Sequence, residues 1–199
     1  MDFGSIKEKY MKRLEEAKKK GLVDEPIIPL LDLINSFDYF FSTSSCAGRI
    51  ILISVHPSWK KNLSKIFFKS HYQVDPEEAW EALTEGANVY KNLIYLKQEP
   101  FILHVSIKSL DKALELLSLV QKIGLKHSGI LSVSQERVNL EVQSVERVDA
   151  LLAKDGVVLA PKEYFKELIY DANYKLKKTR EKMDRLFVEL KERKIKTIG

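Results

Sequence analysis

The sequence predicts an α+β protein, a mixed but largely antiparallel sheet packed with helices and carrying a long helix at each end. Three observations carry this. Short apolar and β-branched runs recur between turn residues without strict strand–helix alternation. Both chain ends carry apolar stripes at helical spacing. None of the eight glycines lies two positions from another. A glycine-rich G-x-G-x-x-G turn is therefore missing, and a Rossmann-type fold is not expected.

In chain order, residues 4–20 read as an amphipathic helix with Ile6, Tyr10, Met11, Leu14 and Ala17 on one stripe, ended by Gly21. Asp24-Glu25-Pro26 starts a short helix through Leu33, with acids in the first turn. Phe37–Phe41 and Arg49–Val55 read as strands around the polar turn Ser42–Gly48, and residues 64–72 as a third strand bearing His71. Asp75-Pro76-Glu77-Glu78 is a helix start, and Gly86 is expected to close that helix. Val89–Leu96 and Phe101–Ile107 are strands, the second interrupted by His104; Ser109 caps a helix over 110–123. Gly129–Val133 and Val138–Val142 form a hairpin, and Asp155-Gly156 is a turn between two short strands. Pro161 opens the last helix, whose inner stripe is Phe165, Leu168, Ile169, Ala172, Leu176, Met183, Leu186 and Leu190.

With 199 residues, 45% of them apolar, the chain can bury a core; it reads as one domain, 1–199, with a helical segment at 1–35 and a long basic helix at 161–199. The single cysteine excludes an internal disulfide and a cysteine-based metal cluster. The charged start and the absence of an apolar run near the ~20 residues of a membrane span predict a cytoplasmic protein. Sparse Asn and Gln beside abundant Lys, Glu and Ile lean towards a thermophile. Net charge is +5, and residues 161–199 carry 12 Lys or Arg against 7 Asp or Glu. That footprint suits a polyanion, with Lys175, Lys177, Lys178 and Arg180 as candidate phosphate contacts; it also suits a solvated surface helix.

The residues with chemistry to offer cluster in a few stretches. Ser42-Thr43-Ser44-Ser45-Cys46-Ala47-Gly48-Arg49 combines hydroxyls, a thiol and a guanidinium. Such a turn suits a phosphate or carboxylate, with Arg49 forking onto the anion. His104 suits proton transfer, or a hydrogen-bonded place in the core. Asn173 carries an amide able to donate and accept at once.

Four segments, in order, resemble the tRNA wybutosine-synthesizing protein 3 family: Ser44-Ser45-Cys46-Ala47-Gly48-Arg49-Ile50, Glu99-Pro100-Phe101-Ile102-Leu103-His104-Val105, Lys126-His127-Ser128-Gly129-Ile130, and Ala172-Asn173 within the basic helix. The resemblance implies an S-adenosylmethionine-dependent methyltransferase acting on a ring nitrogen of a tricyclic guanosine beside the anticodon of tRNA-Phe. It implies His104 and Arg49 as catalytic, with Ser44, Ser45, Cys46, Gly48, Phe101, Ser128, Gly129 and Asn173 around the cofactor. Lys175, Lys178, Arg180 and His71 would meet the tRNA anticodon arm, and no metal is required. Cys46 is expected to line the site rather than act as a nucleophile, and Phe101 to shape the strand or stack on a base. Two other readings of the same residues are a non-catalytic RNA-binding module and a small-molecule binder using the Arg49 turn.

Overall fold

The computed structural model describes residues 2–198. The elements, in order, are α1 (Phe3–Lys19), a 3-10 turn (Glu25–Ile27) leading into α2 (Ile28–Asn35), β1 (Phe40–Cys46), β2 (Arg49–Val55), β3 (Lys65–Ser70), α3 (Pro76–Val89), β4 (Leu93–Glu99), β5 (Ile102–Ile107), α4 (Leu110–Lys122), β6 (Gly129–Val133), β7 (Val138–Gln143), β8 (Val148–Lys154), β9 (Val157–Val158) and α5 (Lys162–Ile198). The class is α+β, as expected. The strands divide between two sheets, ordered β1-β5-β7-β6 and β3-β2-β4-β8-β9, and every pairing described is antiparallel.

The chain resolves into two compact units, Met1–Ala47 with Phe101–Val145 and Thr179–Gly199, and Gly48–Pro100 with Glu146–Lys178. Met1 and Gly199, the end points of the expected domain, lie outside the described residues.

The first unit is built on the four-stranded sheet. Leu103, Val105 and Ile107 of β5 and Val138, Leu140 and Val142 of β7 are buried on one face, alternating with polar residues on the other. The buried face packs with Leu30, Leu31 and Ile34 of α2, Leu116 and Val120 of α4, and Met183, Leu186 and Leu190 of α5. Burying each such side chain contributes about 1.5–3 kcal/mol. Helix α1 starts at an Asp2 cap and packs aromatically on β1, with Phe3 and Tyr10 rings 5.1 and 5.2 Å from Phe41.

The second unit centres on β2 and β4, whose inward Ile50, Leu52, Ile94 and Leu96 meet Ala79 and Leu83 of α3 and Phe165, Ile169, Ala172 and Leu176 of α5. Asp75 caps α3 as expected, accepting from the Glu77 and Glu78 amides at 2.9 and 3.1 Å. Lys162 and Lys166 ion-pair with Glu77 and hold its carboxyl below the usual carboxylate range. Asp155 and Gly156, both at positive φ (52° and 85°), make the β8–β9 turn.

Several boundaries differ from the sequence-based expectation, the strand expected over Val89–Leu96 lying at Leu93–Glu99 among them, and two of the differences have identifiable reasons. The pattern over Phe37–Phe41 predicts a strand, but α2 runs on into turns closed by Phe37 N–H to Ile34 O and Phe40 N–H to Phe37 O. The strand instead occupies Phe40–Cys46, so the hydroxyl-rich stretch is strand rather than turn. Gly86 lies inside α3, which continues to Val89. It is glycine because the Phe67 ring, stacked 5.2 Å from Tyr90, fills the space a Cβ would need.

Alanine at position 86 gains helix propensity but must displace that ring. Gly86→Ala is expected to lower stability by about 1–3 kcal/mol in denaturant unfolding, with most of the loss recovered in a Phe67→Ala background.

Candidate active site

The first unit brings residues of two of the four signature segments, Ser44 and His104, together on the polar face of its sheet. Ser44 on β1 lies in register with His104 on β5, and His104 with Glu141 on β7. Side chains at such positions on one face sit about 4.5–5.5 Å apart at Cβ, near enough to bond in a row. Ser44 Oγ is 3.1 Å from His104 Nδ1, and His104 Nε2 is 2.7 Å from Glu141 Oε2. Gln143 Nε2 donates to the other carboxylate oxygen at 2.9 Å, while the Gln143 backbone N–H donates to Ser128 Oγ at 3.2 Å. A bulge between Ser42 and Ser44 sets the register that brings Ser44 level with the ring.

The bond partners assign the tautomer. An ionised carboxylate only accepts, so His104 Nε2 carries a hydrogen towards Glu141. The neutral ring then holds its lone pair at Nδ1 and accepts from the Ser44 hydroxyl. Ser44 is exposed, and the His104 side chain keeps 33% of its surface accessible, so a substrate can reach the row. Chemically this is a hydroxyl–imidazole–carboxylate relay able to take a proton from a group at Ser44.

Beside it lies an open groove of about 360 Å³, lined by residues of α1 and β1 that include Tyr10, Arg13, Leu14, Ser44 and Ser45. The Arg13 and Arg137 guanidiniums lie 5.8 and 6.0 Å from the Tyr10 ring centroid. Arg137 Nη1 is buried with no hydrogen-bond partner among the described residues. The groove thus offers an aromatic face, hydroxyls and positive charge.

The bend after β1 is held by both peptide groups of Ala47. Its N–H donates to Asp24 Oδ2 at 2.9 Å, and its carbonyl accepts from Arg180 Nη1. Gly48 turns the chain at φ 84°. Arg180, expected on a tRNA phosphate, is thus a clamp on this bend. Cys46 is half-buried on β1 opposite Ile102.

Other expected residues take structural places. Phe101 is fully buried in the core, so its ring is not available to stack on a base; its N–H donates to Thr179 Oγ1 at 3.0 Å. Ser128 is buried and holds the β7 backbone, while Gly129 begins β6 with open space where a Cβ would stand. In the second unit, Arg49 Nε donates to Glu99 Oε2 at 2.6 Å, and His71 Nδ1 lies 3.1 Å from the Gly48 carbonyl. Asn173, expected on a purine edge, instead ties α5 to the segment before α3. Its Oδ1 accepts from Val74 N–H and its Nδ2 donates to Val74 O, both at 2.8 Å. Lys175 pairs with Asp171 at 2.8 Å and Lys178 lies 5.4 Å from the Tyr174 ring.

Sequence reasoning does not find Glu141, Gln143, Tyr10 or Arg13 as site residues. Glu141 has a signal: in Val138-Asn139-Leu140-Glu141-Val142 it sits on the polar phase of an alternating strand. Its meeting with His104 needs the β5–β7 register, which no local pattern supplies.

The fold and the site together define an antiparallel α+β protein whose hydrogen-bonded Ser44–His104–Glu141 row stands beside an arginine- and tyrosine-lined groove. A family model described as Methyltransferase TYW3 matches residues 5–192, and the chain belongs to that family. It is 37% identical over 185 residues, 93% of each chain, to tRNA(Phe) 7-((3-amino-3-carboxypropyl)-4-demethylwyosine(37)-N(4))-methyltransferase 1 of Pyrococcus furiosus. It is 35% identical to the enzyme named without the final number from Methanocaldococcus jannaschii, over 91% of this chain and 93% of that one. The solved PH1069 protein of Pyrococcus horikoshii superposes with a TM-score of 0.89 at 34% identity, covering 95% of this chain and 96% of that one. These archaeal sources agree with the heat-adapted composition. No helix among the described residues is long and apolar enough to cross a membrane.

Because Val74 is buried, removing the Asn173 amide strands both of its backbone groups. Asn173→Ala is expected to cost about 2–4 kcal/mol in thermal or denaturant unfolding, while Asn173→Asp keeps the bond to the Val74 N–H and loses less.

Proposed function

We propose that this protein is a cytoplasmic, S-adenosylmethionine-dependent methyltransferase that methylates N(4) of a demethylwyosine-type guanosine beside the anticodon of tRNA(Phe). The observation that carries this is the Ser44–His104–Glu141 row standing at the wall of a groove with the polarity the donor needs. The names of the relatives support the substrate and the nitrogen.

The groove fits S-adenosylmethionine. Arg13, with the unpartnered Arg137 Nη1 near by, would hold its carboxylate; Tyr10 would offer a ring face; Ser44 and Ser45 would offer hydroxyls. The bound donor supplies an electrophilic methyl carbon on a sulfonium. The residues do the rest. The groove walls position the substrate base and limit water around the reacting nitrogen. As that nitrogen gains its methyl group it must lose its N–H proton. Ser44 Oγ accepts this proton as its own hydroxyl proton passes to His104 Nδ1, and the imidazolium so formed is stabilised by Glu141, which stays ionised. Gln143 holds Glu141 for that task.

The test is transfer of a labelled methyl group from S-adenosylmethionine to tRNA(Phe) carrying the unmethylated precursor. Label is expected in the base. His104→Ala should lower kcat by about 100-fold or more. Glu141→Gln, which keeps the shape but frees the ring to take either tautomer, should cost on the order of tenfold or more in kcat with KM little changed. Tight tRNA binding without label in the base would replace this reading with a non-catalytic RNA-binding module.

A further inference from the structure

The tRNA reading places positive charge on α5, yet the structure pairs much of that charge internally. Lys162 and Lys166 bind Glu77, Lys175 binds Asp171, and Arg180 binds the Ala47 carbonyl. A different stretch of the chain holds basic residues with no acid among them in sequence. From Tyr39 to Val74 there is no Asp or Glu, and the same 36 residues hold Arg49, Lys60, Lys61, Lys65 and Lys69.

In the second unit this stretch forms the edge of the sheet, β3, and the loop that feeds it. Lys60, Lys65 and Lys69 are exposed. No carboxylate lies within ion-pair distance of them among the described residues; Lys65 instead sits 5.6 Å from the Tyr90 ring. Charges left to solvent in this way are available to phosphates.

The loop also presents an aromatic face. Trp59 is 64% exposed and has φ 55°, a left-handed backbone unusual for so bulky a residue. The conformation is fastened locally. Trp59 N–H donates to His56 O at 2.8 Å, Ser58 N–H donates to His56 Nδ1 at 3.2 Å, and Ser58 Oγ lies 2.7 Å from that same nitrogen. The indole stands 5.9 Å from the Tyr95 ring on the neighbouring sheet face, and Lys97 Nζ lies 5.5 Å from that ring. Along β3 runs an open groove of about 340 Å³ lined by Arg49, Ile66, Phe67, Phe68 and Lys69. Lys97 itself is paired with Asp149, but an exposed indole beside a half-buried tyrosine, with Lys60, Lys65 and Lys69 left to solvent, is the combination that binds unpaired nucleotides, bases by stacking and backbone by charge.

We propose that the Trp59 loop and β3 form the surface that holds the single-stranded part of the RNA substrate, with a base stacked on Trp59 and phosphates on Lys60, Lys65 and Lys69. This rests on the tRNA methyltransferase reading and names where that substrate is gripped. The competing explanation for lysines on an edge strand is protection against edge-to-edge association.

The experiment measures binding of a tRNA(Phe) anticodon stem-loop carrying the unmethylated precursor base by fluorescence anisotropy across a salt series. It compares wild type, Trp59→Ala, Trp59→Phe and the triple variant Lys60→Gln/Lys65→Gln/Lys69→Gln, each checked by circular dichroism melting. Trp59→Ala should weaken binding about tenfold, and Trp59→Phe should recover most of it. The triple variant should weaken binding at least tenfold and reduce the slope of log K against log salt by about 2. If wild type binds and the folded variants bind within twofold of it, this surface is not the grip and the tRNA reading stands. A triple variant that self-associates while binding the RNA as wild type does also overturns the grip, in favour of edge protection. If wild type does not bind the stem-loop, the tRNA reading fails and this proposal with it.

Discussion

The hydrogen-bond register across β1, β5 and β7 is the constraint on which the first unit's chemistry depends. One step of slippage along any of these strands would turn Ser44, His104 or Glu141 to the opposite face, because strand side chains alternate. The same register buries Leu103, Val105, Leu140 and Val142, so packing and site are fixed by one choice. The core stabilises the arrangement, and the row of polar side chains follows from it. The bulge at Thr43 is the local adjustment that levels Ser44 with the ring.

A second constraint is where the chain crosses from one unit to the other. The first of four such divisions falls between Ala47 and Gly48, and Ala47 has both peptide groups bonded within the first unit. Helix α5 contributes to both units through a stripe with alternating steps of four and three: Phe165, Ile169, Ala172, Leu176, Thr179, Met183, Leu186 and Leu190. Thr179 is the polar member of that stripe. It is fully buried, accepts from Phe101 N–H and bonds the Ser144 hydroxyl. A buried hydroxyl with both roles filled satisfies the backbone at the start of β5 without leaving an unpaired group.

Much of this is legible in the sequence and some is not, for separable reasons. Helix starts are legible because caps are local: Asp75 and Ser109 both bond the amides that their positions predict. The inner stripe of α5 is legible from its periodicity, apart from Thr179, which a search for apolar residues passes over. The Ser42–Cys46 run reads as a turn, wrongly, because hydroxyl residues favour turns and solvated strands alike, and only pairing with β5 decides between them. Asn173 carries a match to the family, yet its amide serves the Val74 backbone, which lies 99 positions away in sequence. Glu141 completes the Ser44–His104 hydrogen-bonded row from a strand that local pattern can place but not pair. The acid-free run from Tyr39 to Val74 is visible in the sequence. Summing charge over the whole of residues 1–160, which balance, hides it.

The central claim is that Glu141 and Ser44 fix His104 as the tautomer protonated at Nε2, with the Nδ1 lone pair turned to the hydroxyl. The direct test is the ¹⁵N chemical shifts of the imidazole nitrogens, with the four histidines assigned by a His104→Gln comparison, recorded where the ring is neutral. The account predicts a protonated Nε2 and a bare Nδ1 at His104. A ring protonated at Nδ1, or one averaging freely between the two forms, would contradict it.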